Sequence, residues 1–451
     1  MRRMGRPSHI TVACVALALG AALALPGAPA TAADDGTVPP APAPQVLAPI
    51  DVVAATGVPP TAAGVRALVA PLAGRSLGDE SLVIVDPASQ TVLFDRKGSQ
   101  PRIPASTLKL ATASAALNVL GPSSRIATVV YRDGGTIYLV GGGDPTLVRA
   151  SGGNPLAGGS PSLRSLARLS ATSFSAGEKL TLVYDDSAFR GPRLGPGWPK
   201  SFPAAGVAAP VTALVVDGGR VRAGSFSRVS DPARQAATVF AGFLRSQGLT
   251  VTAPKPGRLA TSATEIARVE SPPVGDIVRR MLTESENNFA EAMAHLTGGK
   301  LLGKPSFEGG AAATISALRD LGLDTKDVTL ADGSGLSSQN RVPARLLAQV
   351  LTDVARATDP DLATIAPGLA VAGFTGTLAD RFQTPATSAG RGFVHAKTGT
   401  LTGVVSLAGT VQDADGRVLV FAFIANKVAS LGAARDTMDQ IASGLATCGC
   451  R

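Results

Sequence analysis

Histidine, cysteine and aromatic side chains are scarce in this chain of 451 residues. The histidines and cysteines are His9, His295, His395, Cys14, Cys448 and Cys450. No histidine lies at metal-ligand spacing from a cysteine pair, so the sequence predicts no metal site. A serine–histidine–aspartate triad would have to use His295 or His395, and neither lies in a context that indicates one. Any nucleophilic chemistry must therefore use another base.

The first 32 residues have the pattern of a secretory signal peptide. Basic residues at 2, 3 and 6 precede an apolar core at 11–25 and a small-residue cleavage site at 30–32. We expect an exported protein of the periplasm or cell envelope. It would be associated with a membrane only if the signal stayed uncleaved, because the apolar core is short for a span. Removal of the signal lowers the formal charge from +9 to +6, a modest value that predicts no nucleic-acid partner.

The mature chain begins with a segment of low complexity. Residues 33–60 repeat proline and alanine, which predicts an extended linker rather than a folded region. Two apolar runs separated by a turn predict a β-hairpin over 81–95. In the C-terminal part, several helical patterns surround a long apolar strand predicted at 417–426.

The middle of the chain has a different texture. Between 125 and 268, short β-like runs, including one at 214–216, are broken by glycines. A single helix is predicted there, over 232–248. We therefore expect one domain formed by 61–124 together with 269–451, and a β-rich domain inserted at 125–268.

A lysine stands out in an apolar segment. Lys109 is the only charged residue within 105–120, and a helix that is apolar on nearly every side is predicted to be buried. Burial disfavours the charged form, so the pKa of Lys109 should fall toward neutral pH, where the amine can accept a proton. Ser106 lies three residues earlier, on the same helix face, and pairs a nucleophile with this base. The alternative is that Ser106 caps the helix while Lys109 extends to the surface.

Two further short motifs follow the serine–lysine pair in the chain. They are Ser285-Glu-Asn287 and Lys397-Thr-Gly399. Each is weak alone, because Ser285 could simply cap the following helix and Lys397 could protect an ordinary edge strand. Together with the serine–lysine pair they form the ordered set that is typical of β-lactamases and penicillin-binding proteins.

The order and spacing of the motifs resemble those of peptidase family S13, the class C penicillin-binding proteins with D-alanyl-D-alanine carboxypeptidase or endopeptidase activity. Further matches begin at Gly141, Tyr184 and Asp332, and the resemblance covers residues 61–446. It implies an α/β fold with a penicillin-binding transpeptidase-like domain, an antiparallel sheet flanked by helices, and an inserted β-rich domain. Two departures are Glu286, where the family often has aspartate or asparagine, and an insertion shorter than in the longest members.

The resemblance implies acyl transfer on Ser106, which attacks the carbonyl between two terminal D-alanines. Lys109 would accept the hydroxyl proton and Ser285 would relay a proton to the leaving amine. Backbone N–H groups of Ser106 and Thr400 would bind the oxyanion.

The predicted substrate-binding residues are Asn287, Lys397, Thr398, Gly399 and Thr400. Lys397 and the two threonine hydroxyls would meet the terminal carboxylate, and Asn287 would bind the substrate amide and the catalytic lysine. Gly399 would leave the strand edge open for the substrate.

The implied partners are peptidoglycan stem peptides as substrates and β-lactam antibiotics as covalent inhibitors, with no cofactor. One rival is a serine β-lactamase, but the sequence contains no identifiable carboxylate dedicated to deacylation. A second rival is a non-catalytic wall-binding or sensor protein with the same fold. The choice between carboxypeptidase and endopeptidase depends on how the inserted domain shapes the cleft, and the sequence leaves it open.

Overall fold

The computed structural model describes residues 58–150 and 161–451. The predicted signal peptide at 1–32 and most of the predicted linker at 33–60 lie outside these residues. Within them, no helix combines the length and the apolar character needed to cross a membrane. The same residues contain no group of three or more histidine, cysteine, aspartate or glutamate side chains that could hold a metal ion. Cys448 and Cys450 are joined by a disulfide.

The described residues form two sheets, one short strand pair, and helices packed on them. The helices are α1 (Ala62–Val69), α2 (Lys109–Leu120), α3 (Leu163–Ala171), α4 (Pro232–Ser246), α5 (Val274–Thr283), α6 (Asn287–Leu302), α7 (Phe307–Asp320), α8 (Ala344–Arg356), α9 (Pro360–Ala363) and α10 (Leu431–Thr447). The strands are β1 (Asp79–Asp86), β2 (Thr91–Arg96), β3 (Pro101–Arg102), β4 (Ala127–Asp133), β5 (Thr136–Gly141), β6 (Lys179–Asp185), β7 (Thr250–Val251), β8 (Lys255–Pro256), β9 (Thr264–Glu270), β10 (Val342–Pro343), β11 (Ala370–Val371), β12 (Val394–Leu401), β13 (Val404–Gln412) and β14 (Val418–Asn426).

The first sheet is antiparallel throughout and has the order β11–β12–β13–β14–β1–β2. Strands β1 and β2 form the predicted hairpin. The predicted apolar strand at 417–426 becomes β14, which is buried at every position. A strand that is apolar on both faces needs cover on both sides. Helix α8 packs on one face of this sheet and shares that core with α2 and α5, and α1 and α10 cover the other face.

The segment that leads into α2 differs from the prediction. The sequence predicted one helix over 105–120, but Ala105–Leu108 forms a 3₁₀ turn and the α-helix begins at Lys109. Ala105 has a φ of 48°, a left-handed conformation that non-glycine residues seldom adopt. The hydrophobic pattern is the same for either kind of turn, so the sequence could not reveal this break.

The second sheet has the order β7–β6–β5–β4–β9, and β8 also pairs with β6. Strand β4 is antiparallel to both neighbours, whereas β6 is parallel to β5, β7 and β8. Helices α3 and α4 share a separate hydrophobic core with this sheet. Apart from the last two residues of β9, the sheet and both helices come from the region predicted as the inserted domain, and we keep 125–268 as its proposed bounds.

Two predictions for this region were wrong. The predicted strand at 214–216 is irregular, although Leu214 and Val216 are buried in the core beside the sheet. A short apolar run can be buried without pairing as a strand, and periodicity does not distinguish the two cases. The sequence prediction also had one helix here, whereas the structure adds α3, in which Leu163, Leu166 and Ala167 face the core.

Candidate active site

Ser106 lies in the 3₁₀ turn Ala105–Leu108, which is fixed against the first sheet. The Ser406 hydroxyl on β13 donates a hydrogen bond to the Pro104 carbonyl at 2.6 Å. On β12, Gly399 approaches so closely that a Cβ built on it would lie 2.9 Å from the Ser106 nitrogen. This strand can therefore carry only glycine at that position without displacing the turn.

Lys109 is fully buried, and its Nζ contacts three acceptors. The distances are 2.9 Å to Ser106 Oγ, 2.8 Å to Asn287 Oδ1 and 2.8 Å to the Ser334 carbonyl. No side chain caps the 3₁₀ turn or the following helix. The alternative in which Ser106 is a helix cap and Lys109 extends to the surface is therefore wrong.

The surroundings of Lys109 favour its neutral form. Burial lowers its pKa to about 8, while the negative charges of Glu291, Asp332 and Glu286 act in the opposite direction. A lysine with this pKa can exchange a proton near neutral pH. The sequence prediction of a depressed lysine agrees with this environment.

The start of α6 supplies two asparagines that bind neighbouring parts of the chain. Asn287 accepts from Lys109 through Oδ1 and donates through Nδ2 to the Val207 carbonyl at 2.8 Å, which fixes the orientation of the amide. Asn288 binds both backbone groups of Ala209, at 2.9 and 3.0 Å. The first turn of α6 therefore holds a segment of the proposed inserted domain against the lysine.

The middle motif has an uncommon backbone at its first residue. Ser285 has a φ of 59°, and its hydroxyl forms no hydrogen bond with another residue of the described chain. It does not cap α6, because the N-cap is Glu286 and no side chain bonds the helix start. Glu286 faces Arg220, with 3.9 Å between Oε1 and Nη2. The residue that departs from the family pattern is thus directed at the proposed inserted domain.

Lys397, on β12, is also fully buried. Its Nζ donates to the Thr398 carbonyl at 2.9 Å. Burial lowers the pKa of Lys397 well below its usual value, and the positive charge of Lys109 lowers it further. The two buried lysines therefore oppose each other's charge.

Beyond Lys397, one edge of β12 is unpaired in the described part of the chain. The neighbouring β11 pairs only with His395 and Ala396, whereas β13 runs along the whole opposite edge. Thr398 Oγ1 donates to Thr377 Oγ1 at 2.8 Å. The open edge lies next to the turn that carries the serine.

Several residues at this site were missed by the sequence analysis. Arg435, on α10, donates to Thr400 Oγ1 at 3.2 Å. Ser334 lies in the Asp332-Gly-Ser-Gly stretch, which was matched to the family without a role, and Glu291 had no motif of its own. The sequence signal for Glu291 was its position four residues after Asn287, which places both residues on the same face of α6.

The two histidines inside the described chain take no part in this cluster. His295 is buried against the rings of Phe189 and Phe307, and its Nδ1 contacts the Glu291 carbonyl. The other, His395, contacts the Gly392 carbonyl through Nε2. Neither forms a hydrogen bond with the serine.

Comparison with known proteins assigns the chain to a protein family. The sequence model of the D-Ala-D-Ala carboxypeptidase 3 (S13) family matches residues 67–227 and 222–447. The chain belongs to this family. A carboxypeptidase DacB of Mycolicibacterium smegmatis is 36% identical over 469 residues, which cover 99% of each chain. A D-alanyl-D-alanine carboxypeptidase of Actinomadura is 29% identical and covers 76% of this chain and 77% of its own length.

A solved structure shares the fold of this S13 family member. The crystal structure of penicillin-binding protein 4 from Haemophilus influenzae matches with a TM-score of 0.70 and 22% identity, over 84% of this chain and 98% of the other. The predicted fold class is confirmed by this match. Family membership confirms the predicted family and the predicted class of enzyme, a serine-type D-Ala-D-Ala carboxypeptidase.

Proposed function

We propose that this protein is a serine D-Ala-D-Ala carboxypeptidase that acts on peptidoglycan stem peptides through an acyl-enzyme on Ser106. The observation that carries the proposal is the 2.9 Å contact between Ser106 Oγ and the buried Nζ of Lys109. Family membership supports the same reaction. β-Lactam antibiotics would acylate this serine as covalent inhibitors. Side chains and backbone groups suffice for the chemistry, so the proposal includes no cofactor.

The hydrogen bonds of Lys109 suit a general base. A neutral amine has two N–H bonds and one lone pair. Asn287 Oδ1 and the Ser334 carbonyl can accept the two N–H groups, which directs the lone pair to the Ser106 hydroxyl. With a pKa of about 8, roughly a tenth of the molecules hold the neutral lysine at pH 7.

In the acylation step, the Ser106 oxygen bonds to the carbonyl carbon while its proton passes to Lys109. The C–N bond then breaks, and the proton reaches the amine of the departing D-alanine through Ser285. The unbonded hydroxyl of Ser285 supports this relay role, because nothing in the described chain competes for it. The N–H groups of Ser106 and Thr400 would bind the oxyanion. Water then hydrolyses the ester.

The terminal carboxylate of the substrate would bind at Lys397 and the hydroxyls of Thr398 and Thr400. A bound carboxylate favours the charged form of Lys397, and that charge disfavours a charge on Lys109. We add Arg435, which contacts the Thr400 hydroxyl, as a second cation at this end of the substrate.

Two observations bear on the remaining predicted roles. Asn287 donates to Val207, so we assign its Oδ1 to the lysine and leave contact with the substrate amide to its second N–H. Gly399 permits the strand to approach Ser106, in addition to leaving the open edge free for an extended peptide.

The rival β-lactamase would need a base for rapid deacylation. Two buried carboxylates act electrostatically on Lys109, those of Glu291 and Asp332, and the oxygens of both already accept backbone N–H groups. This arrangement favours a long-lived penicillin adduct. We further propose that the protein is exported through the signal at 1–32. Its main proposed activity is that of a carboxypeptidase, with endopeptidase cleavage of cross-links as a second activity.

The test is release of D-alanine from a stem pentapeptide that ends in D-Ala-D-Ala. The wild type should release it, Ser106→Ala should not, and Ser338→Ala, at an exposed serine, should behave as wild type. Rapid turnover of penicillin would support a β-lactamase, and wall binding without release would support a sensor. Mass analysis of digested peptidoglycan separates terminal D-alanine removal from cross-link cleavage.

A further inference from the structure

Glu291 is a buried carboxylate behind the catalytic lysine, and the reaction described above does not use it. It lies on α6, four residues after Asn287, and is completely buried. Its two oxygens accept the backbone N–H groups of Gly333 and Ser334, at 3.0 and 2.8 Å. Both contacts lie in the turn whose carbonyl at Ser334 accepts from Lys109. Glu291 therefore binds the N–H group of Ser334, and the carbonyl of the same residue binds Lys109.

The turn is held from its other sides as well. Asp332 accepts from the backbone N–H groups of Gly335 and Ser337, at 2.9 and 2.6 Å. The Thr112 hydroxyl on α2 donates to the Gly333 carbonyl at 2.6 Å. With these bonds in place, the carbonyl at position 334 has a fixed direction. Removal of the Glu291 contacts would release the side of the turn that faces α6.

We infer that Glu291 is a positioning residue for acylation: it aims the Ser334 carbonyl at Lys109 Nζ and brings a carboxylate to the turn that binds the base. The inference rests on the proposed function, since it assigns Lys109 as the base. It adds a role for a residue that touches neither the substrate nor Ser106.

The electrostatic part of this role has a definite sign. Burial lowers the pKa of Lys109, and the charge of Glu291 is the largest influence that opposes the fall. Asp332 and Glu286 act in the same direction as Glu291, and Lys397 is the positive group that competes with Lys109. Burial and the charge of Asp332 raise the pKa of Glu291 above its ordinary value, and the hydrogen bonds from Ser334 and Gly333 only partly oppose this rise, so the Glu291 charge is fullest in the alkaline part of the pH range.

The experiment follows the rate constant for penicillin acylation of the full-length enzyme between pH 5.5 and 9.5. For the wild type it should rise with a midpoint near the Lys109 pKa of about 8. Glu291→Gln removes the charge, so the midpoint should move to lower pH by roughly one unit. Because the Ser334 carbonyl is no longer held toward Lys109 Nζ, the limiting acylation rate constant at high pH should fall roughly tenfold or more. The rate constant reports only folded molecules, since unfolding reduces the amount of adduct instead.

Two variants make the result decisive. Glu291→Asp keeps the negative charge but moves it away from the turn by the length of one methylene group. It should also move the midpoint to lower pH, but by less than Glu291→Gln does. Glu308→Gln, at an exposed glutamate on α7, should match the wild type. If the Glu291 variants that fold keep the wild-type pH midpoint of acylation, the inference is overturned. A fall in the rate or the stability alone would not rescue it. A folded wild type that penicillin does not acylate would instead contradict the proposed function.

Discussion

The two buried lysines are chemically distinct because of their partners. Among the described residues, Lys109 has three acceptors around its Nζ, whereas Lys397 has one, the Thr398 carbonyl. Burial lowers the pKa of both groups, but only Lys109 has nearby carboxylates that limit the fall. Lys397 would gain its negative partner from the substrate. The same residue type can thus act as a base at one position and as an anion site at the other.

The contact between Arg435 and Thr400 leads to a prediction about substrate binding. Arg435→Gln removes a cation from the carboxylate end, so KM for a D-Ala-D-Ala peptide should rise roughly three- to tenfold, as expected for an exposed charge pair. The value of kcat should change by less than a factor of two or so, because the base and nucleophile are untouched. Steady-state kinetics at low salt measure both values.

A matched control is Arg66→Gln, at an exposed arginine on α1, which should leave both constants unchanged. If Arg435→Gln lowered kcat without raising KM, Arg435 would have no part in ground-state carboxylate binding.

At the scale of secondary structure, the close approach of β12 to the serine turn depends on Gly399. In Gly399→Ala the new Cβ would lie 2.9 Å from the Ser106 nitrogen, so the strand or the turn must move. A displacement of the nucleophile by an ångström or so should slow penicillin acylation by roughly a hundredfold. Stopped-flow or quenched labelling measures this rate.

Gly242 on α4 provides the comparison, because a Cβ there would meet nothing within 4 Å. Gly242→Ala should keep the acylation rate and increase stability by up to about 1 kcal/mol, since alanine favours a helix. Wild-type acylation by Gly399→Ala would show that the strand tolerates a side chain and that the glycine is not needed for this approach.

The sequence predicted the elements with long or strongly patterned apolar runs. The helix predicted at 232–248, which is α4, the hairpin of β1 and β2, and the buried strand β14 were all placed within a few residues. The 3₁₀ turn before α2 was missed, because a turn conformation at Ala105 leaves no mark on hydrophobic spacing. Helix α3 was missed although its apolar residues recur at helical spacing.

The site was predictable where a motif carried it. The pairing of Ser106 with Lys109, and of Lys109 with Asn287, follows from three short motifs in one order. The contribution of the Ser334 carbonyl could not be read from the sequence, because a backbone group acts there and any residue type supplies one. Glu291 likewise depends on how α6 packs against the turn at 333–334.

At the scale of the whole molecule, the segment between β6 and α4 reaches the active site from the proposed inserted domain. Trp198 donates from Nε1 to Asp332 Oδ2 at 2.8 Å, and its ring packs edge-on against Phe307. The Ser337 hydroxyl donates to the Pro196 carbonyl at 2.6 Å. The proposed inserted domain is therefore tied to the same turn that binds Lys109.

Trp198→Phe tests this link. Phenylalanine keeps much of the ring packing but removes the N–H donor to a buried carboxylate, which should lower the free energy of unfolding by about 1–3 kcal/mol. Penicillin acylation should slow as the turn at Asp332 loosens. Thermal unfolding and the acylation rate constant measure the two effects, and Phe226→Leu, at an exposed ring, should change neither. A stable Trp198→Phe protein with a normal rate would contradict the link.

Ser106 is the proposed acylated nucleophile, activated by Lys109 without a histidine. The most direct measurement is mass spectrometry of the intact protein and of its peptides after incubation with penicillin. We expect one adduct, located on the peptide that contains Ser106, and none in a folded Ser106→Ala variant. An adduct on another residue, or no adduct in a folded wild-type protein, would contradict it.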